Sequence, residues 1–291
     1  KSRWIVVPEG PLLSLNFAAL VAEPPEGGAA GDIDPVQLRK TKWLGLSRVI
    51  SVIPSVDALR SARRSARVAW TAGTFYGFGD PAFRGIADPA PKPAPSRVRG
   101  APSDGSATER VGRLPRERLY RDGIADPAML AKLPRLNYSA FEVREMARLL
   151  GAPPERQALQ LDATQARVER SSADGSLGDS RVVLFATHAL VGGRFDGTRA
   201  EPALALTPGA SIGGTLDPSN DGLLTASEVA QLRFNAALVI LSACDTGAGA
   251  GGGDGFSGLT RAFLLAGARA VLATYSPVVD DVGERMTTTA V

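Results

Sequence analysis

Two short apolar runs limit the folds open to this chain more than any other feature: VVLFAT at 182–187 and ALVILSA at 237–243. Both lack the polar alternation of a half-exposed strand and are rich in β-branched residues, the pattern of central parallel strands covered on both faces. Helical segments separate such runs, because a chain must cross back before it can pair in the same direction. Each run is followed at once by a residue capable of chemistry. His188 follows the first and Cys244 the second, and they are the only histidine and the only cysteine among 291 residues. In open α/β sheets, reacting groups collect beyond the carboxyl ends of the strands. A base and a nucleophile are therefore expected at the same edge of one sheet.

Other segments supply further elements. Strand candidates run over 4–7, stopped by Pro8, and over 49–53, stopped by Pro54, with a helix starting at Ser55. Another, over 74–78, ends in the turn signal Gly79, Asp80, Pro81. The stretch 87–136 is rich in Pro, Gly, Ser and Arg and reads as a long, partly mobile loop; GIADPA occurs at 85–90 and again at 123–128, a local duplication. Ser139 and Glu142 form a capping-box pattern before Val143, Met146, Ala147 and Leu150, with Gly151 as the stop. A second helix starts near Asp162 and Thr164. A polar, Gly- and Pro-rich excursion over 192–222 follows the His188 strand, and Thr225 with Glu228 then opens a helix through Leu232. After Cys244 come a glycine-rich loop at 247–255, a helix over 256–266 stopped by Gly267, and a strand over 271–274. Strands alternating with helices predict a parallel sheet with crossover helices.

Composition excludes several function classes. A hydrophobic content of 44% with 22% charged residues is ordinary for a globular protein. One cysteine cannot form an internal disulfide, and one cysteine with one histidine cannot build the usual zinc sites, so no cofactor is expected. The net charge of +3 comes from 33 basic and 30 acidic residues. Arg60, Arg63, Arg64 and Arg67 share a helix face without interleaved aromatics, which describes a solvated face rather than a nucleic-acid site. No apolar stretch nears the roughly 20 residues that span a bilayer, and no signal-peptide pattern opens the chain, so a cytoplasmic protein without membrane contact is expected. DPSNDGLLTASE at 217–228 fits a calcium-loop pattern through Asp217, Ser219, Asp221 and Glu228. The preceding LTPGASIGGTL cannot supply the entering helix, and a capping box explains Thr225 and Glu228 without metal. The glycine-rich loop lacks the GK[ST] of a P-loop and carries Asp254, which would repel phosphate.

A cysteine nucleophile needs thiolate character, a base, and donors for the oxyanion formed when it attacks a carbonyl. His188 is the only imidazole available, and LSACDTG puts Cys244 in a turn where backbone N–H groups could face an oxyanion. The residues by themselves leave two readings open: a catalytic pair, or a structural cysteine with an incidental histidine.

FATHAL around His188, GLLTASEV at 222–229, LSACDTG around Cys244 and GLTRAFLLAGARAVLATYSPVVDD at 258–281 resemble successive motifs of the CHAT domain, a caspase-like, separase-related peptidase domain often found beside tetratricopeptide repeats. IVVPEGPLLSLNFAAL near the start, VIPSVDAL at 52–59 and FGDPAF at 78–83 are also similar to it. The resemblance implies a three-layer α/β/α caspase-like fold with a mostly parallel central sheet, an amino-terminal pseudo-protease half over 1–180 and a catalytic half over 181–291. It implies a cysteine endopeptidase acting on a protein substrate, with His188 as general base and Cys244 as nucleophile. Backbone N–H groups of Ala189 and Cys244 would form the oxyanion hole.

Ala189 stands where the family usually has glycine, so a positive φ there would strain it. Asp280 matches an acidic position lining the pocket for a basic P1 side chain, beside Ser276 where the family has tryptophan. Asp254 matches another acidic position that caps a helix or contacts substrate. The resemblance further implies regulation by a tetratricopeptide-repeat region or another partner outside this chain. The alternative is a catalytically silent caspase-like scaffold or partner-binding module.

Overall fold

The computed structural model describes residues 2–9, 12, 15–23, 35–53, 55–57, 59–60, 75–87, 120–121, 124–125, 130–190, 193–195, 198–209, 220–242 and 254–273. The chain divides into two compact units, Lys1–Arg67 and Val68–Val291. In the first, β1 (Arg3–Val6) pairs in parallel with β2 (Val49–Val52), and Val21–Glu23 forms an antiparallel ladder with Lys42–Trp43. Both β1 and β2 occur where the runs at 4–7 and 49–53 placed strands.

The second unit is built on a five-stranded sheet. Its strands are β3 (Phe75–Pro81), β4 (Gln157–Gln160), β5 (Val182–Ala186), β9 (Leu238–Ser242) and β10 (Val271–Ala273), in the order β10-β9-β5-β3-β4. All four neighbouring pairs are parallel. The two apolar runs thus form adjacent strands at the centre, each paired on both edges, which is why neither tolerates polar alternation. A side sheet of β6 (Ala189–Leu190), β7 (Ala203–Ala205) and β8 (Leu223–Thr225) is antiparallel, in the order β6-β7-β8.

Helices cover the central sheet on both faces, giving three layers. α1 (Ser139–Leu149) buries Val143, Met146 and Ala147 against Phe75, Val182, Leu184, Ala186 and Ile240. α2 (Gln165–Ala173) and α4 (Asp254–Leu265) contribute Val168, Leu259 and Phe263 to the opposite core, with Tyr76, Phe78, Val183, Phe185, Val239 and Leu241. Successive side chains on each strand alternate between these cores, so that residues two apart share one, as strand geometry requires. α1 comes close because β3 presents glycines: a Cβ at Gly77 would lie 2.7 Å from Val143 Cγ1, and one at Gly79 would lie 2.8 Å from Val143 Cγ2. No helix among the described residues is long and apolar enough to cross a membrane.

Three local expectations need correction. Ser139 and Glu142 do not form a capping box: Ser139 Oγ donates to Leu136 O and accepts from the Asp80 N–H, while Glu142 accepts from Ser242. Tertiary partners outcompete the local pairing because both side chains are buried under α1. The supposed loop 87–136 contains a short ladder, Tyr120–Arg121 with Ile124–Ala125, and its end is core, with Leu130 and Leu133 buried. Likewise, the excursion over 192–222 contains β7 and a ladder of Gly193–Phe195 with Thr198–Ala200. Strands of two or three residues leave too little periodicity to be seen in sequence.

The capping box of Thr225 and Glu228 is formed, both bonds present, at the start of α3 (Ala226–Val229), which ends before Leu232. Its carboxylate also accepts from Gln165 Nε2 and Thr225 Oγ1. Protein donors therefore occupy both oxygens of the would-be twelfth calcium ligand. Asp217 and Ser219 lie outside the described residues.

Candidate active site

Register sets the geometry of the site. Ala186 on β5 pairs with Ser242 on β9 and with Gly79 on β3, so these three residues form one row across the centre of the sheet. His188 follows Ala186 by two residues, and Cys244 follows Ser242 by two. Cys244, Ser276 and Asp280 lie outside the described residues. Asp254 is the first residue of α4.

His188 is buried, 2% exposed. Its Nε2 lies 2.7 Å from the carbonyl oxygen of Pro134. A carbonyl can only accept, so Nε2 carries the proton and Nδ1 carries the lone pair. Nδ1 is buried without a hydrogen-bond partner among the described residues. Burial pushes the imidazole below its ordinary value of 6.5, and the Pro134 bond, which favours the charged ring, opposes this only partly. The ring rests against Phe83, with centroids 5.5 Å apart. The outcome is a neutral imidazole of one tautomer, braced on one side, with an unused basic nitrogen on the other.

The backbone after His188 is equally specific. Ala205 N–H donates to His188 O at 2.8 Å, and Ala189 faces Leu204 in the ladder. In an antiparallel pair this pattern makes Ala189 and Leu204 a non-hydrogen-bonded pair, so the Ala189 N–H points away from β7. Among the described residues β6 is the edge of its sheet, so no described strand pairs on the side that this N–H faces. Ala189 is not among the described residues with positive φ, so alanine fits here without the strain that glycine would relieve. Thr187 Oγ donates to Ala205 O, tying the turn between β5 and β6 to the side sheet.

Two further groups border the site. Ser242 Oγ donates to Glu142 Oε2 at 3.0 Å, placing a buried carboxylate beside the end of β9. Arg135, next to Pro134, makes two bonds to the Asp80 carboxylate, Nε to Oδ1 at 2.7 Å and Nη2 to Oδ2 at 2.6 Å. Residue-by-residue reading missed Pro134, Arg135 and Phe83 as parts of the site. FGDPAF was a usable signal for Asp80 and Phe83, whereas Pro134 acts through its carbonyl, a group every residue has.

The arrangement can accept a proton at Nδ1 and offer an N–H to a developing negative charge. Among known families, the model of the CHAT domain matches residues 2–290, essentially the whole chain. A search of curated proteins finds no match.

Proposed function

The chain belongs to the CHAT domain family, which is caspase-like and peptidase-related, and on that premise we propose that it is a cysteine endopeptidase with a His188/Cys244 dyad. The observation that carries this reading is the fixed Nε2–H tautomer of His188, which leaves Nδ1 unpartnered among the described residues. In this mechanism Nδ1 takes the proton of the Cys244 thiol, and the thiolate attacks the scissile carbonyl carbon. The oxyanion accepts hydrogen bonds from the N–H groups of Ala189 and Cys244. Collapse breaks the C–N bond, the leaving amine takes the proton from the imidazolium, and a thioester remains. Water then adds to the thioester, giving its proton to His188, and the acid product departs as Cys244 is reprotonated.

Asp280 is assigned to the pocket for a basic P1 side chain, with Asp254 at the start of α4 as a second acidic group near substrate. A partner or flanking repeat region regulates access. The 2% exposure of His188 favours a second reading, a silent scaffold that keeps the fold without turnover. Cleavage of a peptide library by the wild type, Cys244→Ala and His188→Ala, with and without the flanking chain, separates the two. The peptidase reading expects both substitutions to abolish cleavage; cleavage unaffected by Cys244→Ala would exclude the dyad.

A further inference from the structure

Asp80 sits in an unusual place. In the pairing of β3 with β4, Gly79 faces Leu159 and Pro81 faces Gln160, so Asp80 is the extra residue of a bulge. Its φ is +48, one of two positive values among the described non-glycine residues. Aspartate tolerates this region better than most residues, but the conformation still costs energy and persists only where neighbours over-determine it. Here they do. The Asp80 N–H donates to Ser139 Oγ at 2.9 Å, its carbonyl accepts from Gln160 Nε2 at 2.9 Å, and its carboxylate receives both bonds from Arg135. Bulges beside sites commonly re-aim a side chain, and this one directs the carboxylate at Arg135.

The ion pair is buried: the Asp80 side chain is 3% exposed and that of Arg135 18%. A buried pair is a weak device for stability, since apolar packing of the same volume does as well or better; a device for fixing geometry is the use left to it. The geometry at stake is the peptide between Pro134 and Arg135. Leu133 is anchored in the apolar cluster of Phe83, Leu130 and Leu190, and Leu136 O is held by Ser139 Oγ, so the path of the segment is set on both sides. Between these anchors, Arg135 is held by a two-bond fork to Asp80, and the peptide that joins it to Pro134 carries the oxygen that receives His188 Nε2–H.

We propose that Asp80 and Arg135 are positioning residues that hold the Pro134 carbonyl toward His188 and so select the imidazole tautomer with a free Nδ1. The proposal rests on the peptidase reading for its consequence in catalysis but not for its structural test. His188 is the only histidine, so ¹⁵N-labelled protein gives a single imidazole pattern whose two nitrogen shifts report the tautomer directly. The wild type should show Nε2–H alone near neutral pH. Asp80→Asn and Arg135→Lys should each populate the Nδ1–H form, and in the cleavage assay should lower kcat about tenfold or more with KM little changed, since a wrong tautomer removes the base rather than a substrate contact.

The paired variant Asp80→Asn with Arg135→Gln leaves no uncompensated charge and guards against failure of the single variants to fold; it too should show mixed tautomers. A wild-type tautomer pattern in the folded variants overturns the proposal. So does loss of folding in the paired variant, because the pair would then hold the fold rather than the imidazole. Cleavage that survives Cys244→Ala would instead sink the peptidase reading and leave the tautomer result standing.

Discussion

The Nε2 of His188 donates to the carbonyl oxygen of Pro134, a residue 54 positions earlier in the chain, at 2.7 Å. That bond decides which nitrogen of the ring is free. It also gives the ring a partner other than a carboxylate, so the imidazole is held in orientation by a neutral carbonyl.

Stability should depend on pH through this ring. Burial holds the folded-state value below 6.5, while the unfolded chain keeps about 6.5. Between these values the unfolded chain binds more protons, so stability is complete above about pH 6.5, falls as pH drops through the window, and levels off below the folded value. Urea midpoints at pH 7.5 and 5.5 for the wild type and His188→Gln check the sign. The wild type should lose more stability on acidification than the variant; equal losses would contradict a buried neutral imidazole.

Ala189→Pro removes one N–H at an edge position where the ladder does not use it. The fold should survive, with a melting temperature within a few degrees of wild type. Under the proposed peptidase mechanism, turnover should fall by about 10²- to 10³-fold, the usual loss for one oxyanion donor. Ala189→Gly should leave turnover nearly unchanged, because the backbone φ at this position needs no glycine.

Gly79→Ala would place a methyl group 2.8 Å from Val143 Cγ2 and 3.2 Å from Ser139 O. α1 would have to lift from β3, disturbing the Ser139 bond to Asp80 as well. A destabilisation of about 1–3 kcal/mol is expected, read from chemical denaturation. A variant as stable as wild type would show that the contact relaxes freely.

Calcium at millimolar concentration should not shift the melting temperature, since both Glu228 oxygens already accept hydrogen bonds from Thr225 and Gln165. Thr225→Ala, which breaks the capping box, should cost about 1 kcal/mol. A calcium-dependent rise in melting temperature would reopen the metal reading of the segment.

Local sequence determined much of this protein. The runs at 182–187 and 237–243 read as buried parallel strands, because short apolar runs rich in β-branched residues suit strands covered on both faces, and they end where His188 and Cys244 begin. Thr225 and Glu228 carry their cap in their own spacing. Only the tertiary structure decided what surrounds the imidazole. Ser139 and Glu142 read as a cap but are drawn to Asp80 and Ser242, since burial makes a tertiary bond worth more than a local one. Pro134 contributes a carbonyl, which has no residue-type signature, from a segment whose composition resembles a loop. The direction of the Ala189 N–H, away from β7, follows from strand pairing alone. Side-chain chemistry is written residue by residue, whereas backbone groups acquire a function only when long-range packing leaves one aimed and another satisfied.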